Sequence, residues 1–536
     1  MRKINIAGAG LAGLSAAISA AEAGFEVSLI SLQPSERAQS VLAEGGINAA
    51  LNTMGEDDTP EEHFYDTMKG GAFLADPNAA AGLAYGAPGI IEKLLETGTP
   101  FQMDGRNVVL RNFGGQKKKR TAYAKSSTGK VIMTALIDEA RKYESSGRIT
   151  RYPHHQVLEV LSEGGRCRGL KVLDTYSGQV MYLSGPVIIA CGGLNGFFPQ
   201  FTTGTVANTG DLAAELFYSG VEFANLEFIQ YHPTTVEIPG KRMLVSEAAR
   251  GEGGRLFIRK NSEKWYFMEE LYPELGNLMP RDVISREMTK VLERTDCEGP
   301  VFLDMTGLPK KTWEKKLSDL RDEIRENISV DPAKEPVAVY PGIHFFMGGI
   351  WVDEEHRTSM DGLFAAGECA CQYHGANRLG GNSMLGAVYG GRKAAESAMK
   401  YACEYPGSEK PSYHISEEEK REHYVSPKSA GEMKEILVNA LGIIRSGEKL
   451  NEGLNKTEDL LKSENLTKIE KKRLLLGKAM ILSAVERRES RGAHFRADFP
   501  ETDEFFRKTT VSRSSDGVEI NFRDIPERRG GNEVQT

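Results

Sequence analysis

The sequence predicts an α/β protein: a parallel-sheet domain assembled from separated stretches of chain, an inserted α+β domain, and a C-terminal helical domain. Three observations lead there. Residues 3–31 read as strand, turn, helix, strand around Gly8-Ala-Gly10-Leu-Ala-Gly13. Two later apolar runs, at residues 187–193 and 363–369, each read as a buried strand ending at glycine. From about residue 401 to 500, Glu, Lys and Leu recur at helical spacing, as in residues 433–441.

The first element is the most specific. Ile4 and Ile6 lead into the glycines, an alanine-rich helix follows to Gly24, and a second strand covers residues 26–31. This is the G-x-G-x-x-G fingerprint in its required setting: glycines for a tight turn and close backbone approach, then a helix N-terminus facing a pyrophosphate. A tight turn without ligand is the bland alternative. Such folds commonly end the second strand with an acidic residue for ribose, and here Ser31 offers only a hydroxyl. The two later glycine-marked strands suggest a Rossmann-like domain formed by residues 1–227 and 346–400. Residues 228–345, poor in β-α-β signals, would be an inserted capping domain. Residues 401–500 would be helical and 501–536 extended, with a disordered charged tail after Pro526.

Composition is that of an ordinary globular chain: 536 residues, 40% apolar, 26% charged, too long for one core. Glycine is high at 57 residues, which fits repeated close approach of backbone to a ligand. A net charge of −8 argues against nucleic acid, so the basic run Lys117 to Arg120 reads as a solvated loop. No apolar stretch reaches the roughly 20 residues a bilayer requires, and a strand starting by Lys3 leaves no room for a signal peptide. A cytoplasmic chain is the expectation. The six cysteines lack paired C-x-x-C spacing, so neither a disulfide framework nor a metal site is expected. Cys369 and Cys371 flank one alanine and read as an adventitious pair, a redox pair being the alternative.

Five motifs occur in order: Gln230-Tyr-His232-Pro-Thr; Ser246-Glu247-Ala-Ala-Arg250-Gly-Glu-Gly-Gly; Pro280-Arg281-Asp282; His344-Phe-Phe-Met-Gly-Gly; and His374-Gly-Ala-Asn377-Arg378-Leu-Gly-Gly-Asn382-Ser383. Singly, each histidine reads as a satisfied structural residue and each Arg-Asp as a local ion pair. Together they can supply two cationic, donor-rich clamps. A dicarboxylate needs that arrangement, with bidentate guanidinium at one end and imidazole and hydroxyl donors at the other.

With residues 36–49, Glu-Arg-Ala-Gln39-Ser40-Val-Leu-Ala-Glu44-Gly45-Gly46-Ile-Asn-Ala, and the Phe113-Gly-Gly-Gln116 segment, the set resembles the flavoprotein subunits of succinate dehydrogenases and fumarate reductases. The likeness runs from Ile4 to about Arg392 and resumes at residues 489–494. It implies FAD touched by Gly8, Gly10, Gly13, Ser31, Gln39, Ser40, Gly45, Gly46, Thr128, Asp211, Glu368, Arg378, Ser383 and Met384. It implies substrate carboxylates held by His232, Ser246, His344 and Arg378, in a pocket lined by Phe113, Gly45 and Gly46. Arg281 would donate the proton, fed by Glu247 and Arg250; the sequence alone would equally let Arg281 anchor a carboxylate.

Gln39 stands where the family usually carries a histidine joined to the flavin, and an amide has no such nucleophile. FAD is therefore expected to be noncovalent, and the preferred direction to be fumarate reduction. Glu44 replaces a usual glutamine; it either lowers the flavin potential or points to solvent. Cys191, at a usual threonine, reads as a packing substitute. The resemblance also implies an iron–sulfur partner subunit, with or without a membrane quinone-binding subunit that would place the chain on the inner face of the cell membrane. The competing readings are succinate dehydrogenase, L-aspartate oxidase and a catalytically silent electron-transfer subunit. The Leu379-Gly-Gly-Asn382-Ser383-Met384-Leu-Gly stretch disfavours the oxidase.

Overall fold

The computed structural model describes residues 2–113, 115–124, 127–404 and 413–529. Gly114 of the Phe113–Gln116 segment and the tail from residue 530 lie outside the described residues. Runs of Ile, Val, Leu and Ala form a five-stranded parallel sheet in the order Leu363–Ala365, Val187–Ile189, Lys3–Ala7, Glu26–Ser31, Ile149–Pro153. Strands covered on both faces must be apolar on both, and these are almost wholly buried. The register matches Ala7 to Ile189 and Ile189 to Ala365. The three strands therefore stop at one edge, and their glycine-bearing loops converge there. Helices Leu11–Glu22 and Asn382–Glu404 cross in backbone contact on one face: a Cβ on Gly391 would lie 2.2 Å from the Ala12 carbonyl oxygen.

Residues 229–346 contribute a six-stranded sheet in the order Lys241–Leu244, Ile229–Ile238, Val337–Phe346, Cys297–Asp304, Arg255–Lys260, Glu263–Trp265, every pair antiparallel. Helix Arg281–Leu292 lies against the strand Ile229–Ile238. Helices Pro427–Ala440, Gly447–Leu461 and Lys468–Glu486 bury leucine, isoleucine and methionine in one cluster with Ile189, Ile343 and Phe346.

Three sequence expectations need correction. The segment after residue 500 is not merely extended: Lys508–Ser514 and Val518–Asp524 form a hairpin that joins Phe223–Ala224, Gly349–Trp351 and Ala370–Cys371 in one sheet. The chain just past Pro526 is pinned, because Arg528 forks onto Glu61 at 2.6 and 2.7 Å and Arg529 pairs with Glu354 at 2.6 Å. Arg120 is not part of a solvated run. It is fully buried between Asp58 and Asp66, 2.9 Å from each, while Lys119 meets solvent beside Glu56.

A buried ion cluster ties the C-terminal part to the inserted sheet. The Arg487 guanidinium donates to Glu227 Oε1 at 2.7 Å, to Glu489 Oε1 at 2.9 Å and to Thr510 Oγ1 at 2.7 Å. Arg487, Glu227 and Glu489 are fully shielded from water. Glu227 sits two residues before the strand Ile229–Ile238, so this cluster anchors that strand from below. A buried pair adds little net stability, yet deleting one partner strands the other charge. Arg487→Met should lower the unfolding free energy by about 3–5 kcal/mol in urea titrations; a loss well under about 1 kcal/mol would show the cluster to be passive.

Candidate active site

The convergent loops at the sheet edge open one long cleft. Its walls include Gly8, Gly10, Ser31, Gln39, Ser40, Gly192, Gly193, Asp211, Glu368, Ser383 and Met384 at one end, and Gly45, Gly46, Phe113, His232, Ser246, Glu247, Arg281, His344 and Arg378 at the other. The turn is built for close approach. Gly8 sits at φ +125°, and a Cβ there would lie 2.0 Å from the Ala190 carbonyl oxygen. A Cβ on Gly13 would strike the Gly8 oxygen at 1.8 Å, so Gly13 packs helix on strand and does not line the cleft. Ser40 Oγ accepts the Leu11 N–H at 3.2 Å, at the start of the helix whose first residues, Leu11 and Ala12, line the cleft.

At the other end, the antiparallel strands Ile229–Ile238 and Val337–Phe346 present His232 and His344 side by side, ring centroids 5.3 Å apart. The ladder breaks between His232 and Thr235, where Pro233 cannot donate, and the irregularity turns the histidine toward the cleft. His232 Nδ1 accepts the Thr234 N–H at 3.3 Å, and His344 Nδ1 lies 2.9 Å from Thr203 Oγ1. Pro280 opens the helix Arg281–Leu292 and aims Arg281 from its first residue. Arg281 donates to Glu247 Oε2 through Nε at 3.1 Å and Nη2 at 2.8 Å. Arg250 lies behind Glu247 at 3.5 Å, fully buried. Arg378, in the loop before helix Asn382–Glu404, stacks over the Phe345 ring at 4.5 Å, and its Nε has no partner.

Three guanidinium groups thus share Glu247, and Glu368 also acts on Arg378. Burial, then the charge of Arg281, drives His232 and His344 well below the ordinary histidine range, so both imidazoles are neutral at pH 7. Desolvation works against Glu247, but the Arg281 and Arg250 cations hold its carboxyl down at about 2. Burial, with Arg281 adding to it, pulls Arg378 down to about 9. Burial pushes Glu368 up to about 7 against the N–H of Phe346, which it accepts at 3.1 Å. Glu44 is pushed up to about 8 by burial and by Glu323, with Arg111 opposing.

Not every residue expected at the cleft lines it. Thr128 is buried behind the wall, where Oγ1 accepts the Ala124 N–H at 3.1 Å and donates to the Glu44 carbonyl at 3.4 Å. Arg250 is likewise set back. Asp211 borders the cleft, but Oδ1 is held by Arg473 at 2.6 Å. Gln39 lines the wall with its side-chain oxygen accepting the Thr205 N–H at 2.5 Å. Cys369 does not pair with Cys371: its thiol meets Cys191 where the loops after two adjoining strands come together, which pushes Cys191 up and Cys369 down. Sequence reading gave no role to the segment His155–Val157 at the cleft rim, to Thr203 and Thr205, or to Gln230. Gln230 stood within a quoted motif; the others carry no local signal.

The glycine cradle, the helix N-terminus at the cleft and an Arg378 Nε without a partner among the described residues suit a long anionic dinucleotide such as FAD. The family model described as FAD binding domain matches residues 4–384, and that described as fumarate reductase flavoprotein C-term matches residues 467–529. The succinate dehydrogenase flavoprotein subunit of Bacillus subtilis is 37% identical, over 97% of this chain and 96% of its own. The fumarate reductase flavoprotein subunit of Mycobacterium tuberculosis is 33% identical, over 96% and 95%. Among solved structures, a chain of an E. coli quinol fumarate reductase superposes with a TM-score of 0.88 at 30% identity, covering 98% of this chain and 97% of that one. The chain belongs to the flavoprotein-subunit family of succinate dehydrogenases and fumarate reductases, FAD-dependent oxidoreductases that share this fold.

Proposed function

We propose that the chain is the flavoprotein subunit of a fumarate reductase that converts fumarate to succinate with noncovalently held FAD. The observation that carries this reading is the surplus of positive charge: Arg250, Arg281 and Arg378 against Glu247 and a Glu368 pushed up to about 7, beside two neutral imidazoles. A small dianion such as fumarate offsets that surplus.

Gly8, Gly10, Ser31, Ser40, Glu368, Ser383 and Met384 would hold FAD, with Asp211 contributing from the rim, and Gly13 and Thr128 supporting the wall from behind. Bound FAD supplies hydride transfer. Arg378 would grip one fumarate carboxylate, while His232, His344 and Ser246 donate to the other. Uneven donors at the two ends polarise the double bond and make one alkene carbon electrophilic. Phe113, Gly45 and Gly46 would close the pocket over the substrate and exclude water. Arg281 lines the cleft, and its guanidinium would deliver the proton to the second carbon. Glu247 Oε2, already accepting from Nε and Nη2, would return a proton to that guanidinium, with Arg250 behind it as the relay.

Gln39 supports noncovalent attachment, because its amide is tied to Thr205 and offers no ring nitrogen. A flavin lacking that bond is the better reductant, which favours fumarate reduction. The Bacillus subtilis relative's name favours the reverse, succinate-oxidising direction as a second reading, and the ratio of rates in the two directions decides between them. An iron–sulfur subunit would deliver electrons, and a membrane quinone-binding subunit would complete the assembly at the inner face of the cell membrane. The name of the E. coli relative, a quinol fumarate reductase, supports this.

Three outcomes test the reading. Arg281→Gln should cut fumarate turnover with reduced viologen by at least about 100-fold while fumarate still perturbs the flavin spectrum; near-normal turnover refutes the proton-donor role. Acid precipitation of the holoprotein should release all yellow colour, and colour left on the polypeptide overturns the noncovalent assignment. The KM for fumarate should rise with pH, because Glu44 gains negative charge at about 8 and Arg378 loses its cation at about 9. Both changes repel or release a dianion. Glu44→Gln should move the onset up to about 9, and a KM flat across that range would contradict the charge assignment.

A further inference from the structure

Gln230 lies under the two substrate-facing guanidiniums, 1% exposed and outside the cleft wall. Its Oε1 accepts from Arg281 Nη1 at 3.2 Å and from Arg378 Nη2 at 2.9 Å. Its Nε2 donates to Asn377 Oδ1 at 2.6 Å and to the Arg378 carbonyl at 3.0 Å. Asn377 is oriented in turn, because its Nδ2 donates to Asp282 Oδ1 at 3.0 Å. These polarities leave one arrangement. Turning the amide over would press an NH2 group against two cations. A carboxylate at this position would face two acceptors with its second oxygen.

We propose that Gln230 is a positioning residue, a neutral bridge that locks Arg281 to Arg378 through one shared acceptor without adding a second negative charge beneath the substrate. The inference rests on the dicarboxylate reading. The bridge sets the separation and tilt of the proton donor relative to the carboxylate anchor. Its neutrality matters as much as its shape. A charge here would draw both guanidiniums inward, weaken their field on a dianion and hold the proton on Arg281. The other charged or titratable groups packed around the pair are Glu247, Arg250, Asp282, Glu368, His232, His344 and His374, and among these the carboxylate in contact with Arg281 is Glu247.

The test compares the FAD-loaded wild type with Gln230→Glu and Gln230→Met. Succinate binding is measured by calorimetry, and fumarate turnover with reduced viologen is followed across pH. Gln230→Glu should retain FAD. It should bind succinate about 10-fold more weakly and lose about 100-fold in kcat. In the Glu44→Gln background, where Arg378 alone sets the high-pH rise in KM, a carboxylate beside Arg378 should also shift that rise upward by about one unit, a signature that loosened packing alone would not produce. Gln230→Met keeps neutrality but removes the acceptor, so kcat should fall about 10-fold with the pH limb unmoved. Wild-type kcat, affinity and pH limb in Gln230→Glu overturn the bridge. Should Gln230→Glu fail to load FAD, wild-type kcat in Gln230→Met overturns it instead. A wild type that neither turns over fumarate nor binds succinate sinks the dicarboxylate reading itself, whereas an active wild type matched by both variants sinks only Gln230.

Discussion

Three clustered arginines, two of them buried, served by Glu247 and by a Glu368 pushed up to about 7, are the constraint to which the rest of this structure answers. Uncompensated cations away from water are costly, and the fold tolerates them only where surrounding polar groups are fixed and a ligand of opposite sign is expected. Burial and mutual repulsion already pull Arg378 down to about 9 and keep both neighbouring histidines neutral. Glu247 is held ionised by the same field. The site is therefore charged for a dianion before any substrate arrives, which is what electrostatic preorganisation requires.

Holding that arrangement falls to parts of the chain that never touch it. The parallel sheet ends three strands at one edge and delivers the glycine loops; the antiparallel sheet brings the two histidines over that edge. The buried Arg487 cluster anchors the strand carrying His232 from the C-terminal side. Asn48 joins the remaining pieces: its side chain donates to Gly380 O and Asn382 Oδ1, each at 2.8 Å, and accepts from Gln116 and Thr121 at 2.9 and 2.6 Å. The loop of Phe113, the loop of Arg378 and the Gly45–Gly46 turn are thereby bound to one another. Rigid support of this kind sets how closely reacting groups can be aligned.

The departures from the family pattern are also physically legible. Gln39 is not a vacant substitute for histidine, since its oxygen bonds the backbone at Thr205 and steadies the far wall of the cleft. Glu44 does not simply meet bulk water. Its carboxyl is pushed up to about 8, so at neutral pH it sits mostly protonated beside the dianion pocket. Cys191 and Cys369 meet just past the ends of the adjoining strands Val187–Ile189 and Leu363–Ala365, a contact that neither cysteine's sequence setting announces.

Much could be read from the chain alone, because its signals are local. Apolar runs mark the strands Lys3–Ala7, Val187–Ile189 and Leu363–Ala365, the glycine spacing marks the turn, and loop-bounded His and Arg mark a donor-rich anion site. Residue types thus determine which chemistry is available. Proximity is another matter. Arg473 meets Asp211, Gln230 meets Arg378 and Arg120 meets Asp58 across long stretches of chain, and no spacing rule encodes such meetings. Nor could composition separate Thr128, hidden behind the wall, from Ser383, exposed in it. Burial and pairing are properties of the packed whole, and they decide which charges persist, which protons can move and which side chains face the cleft.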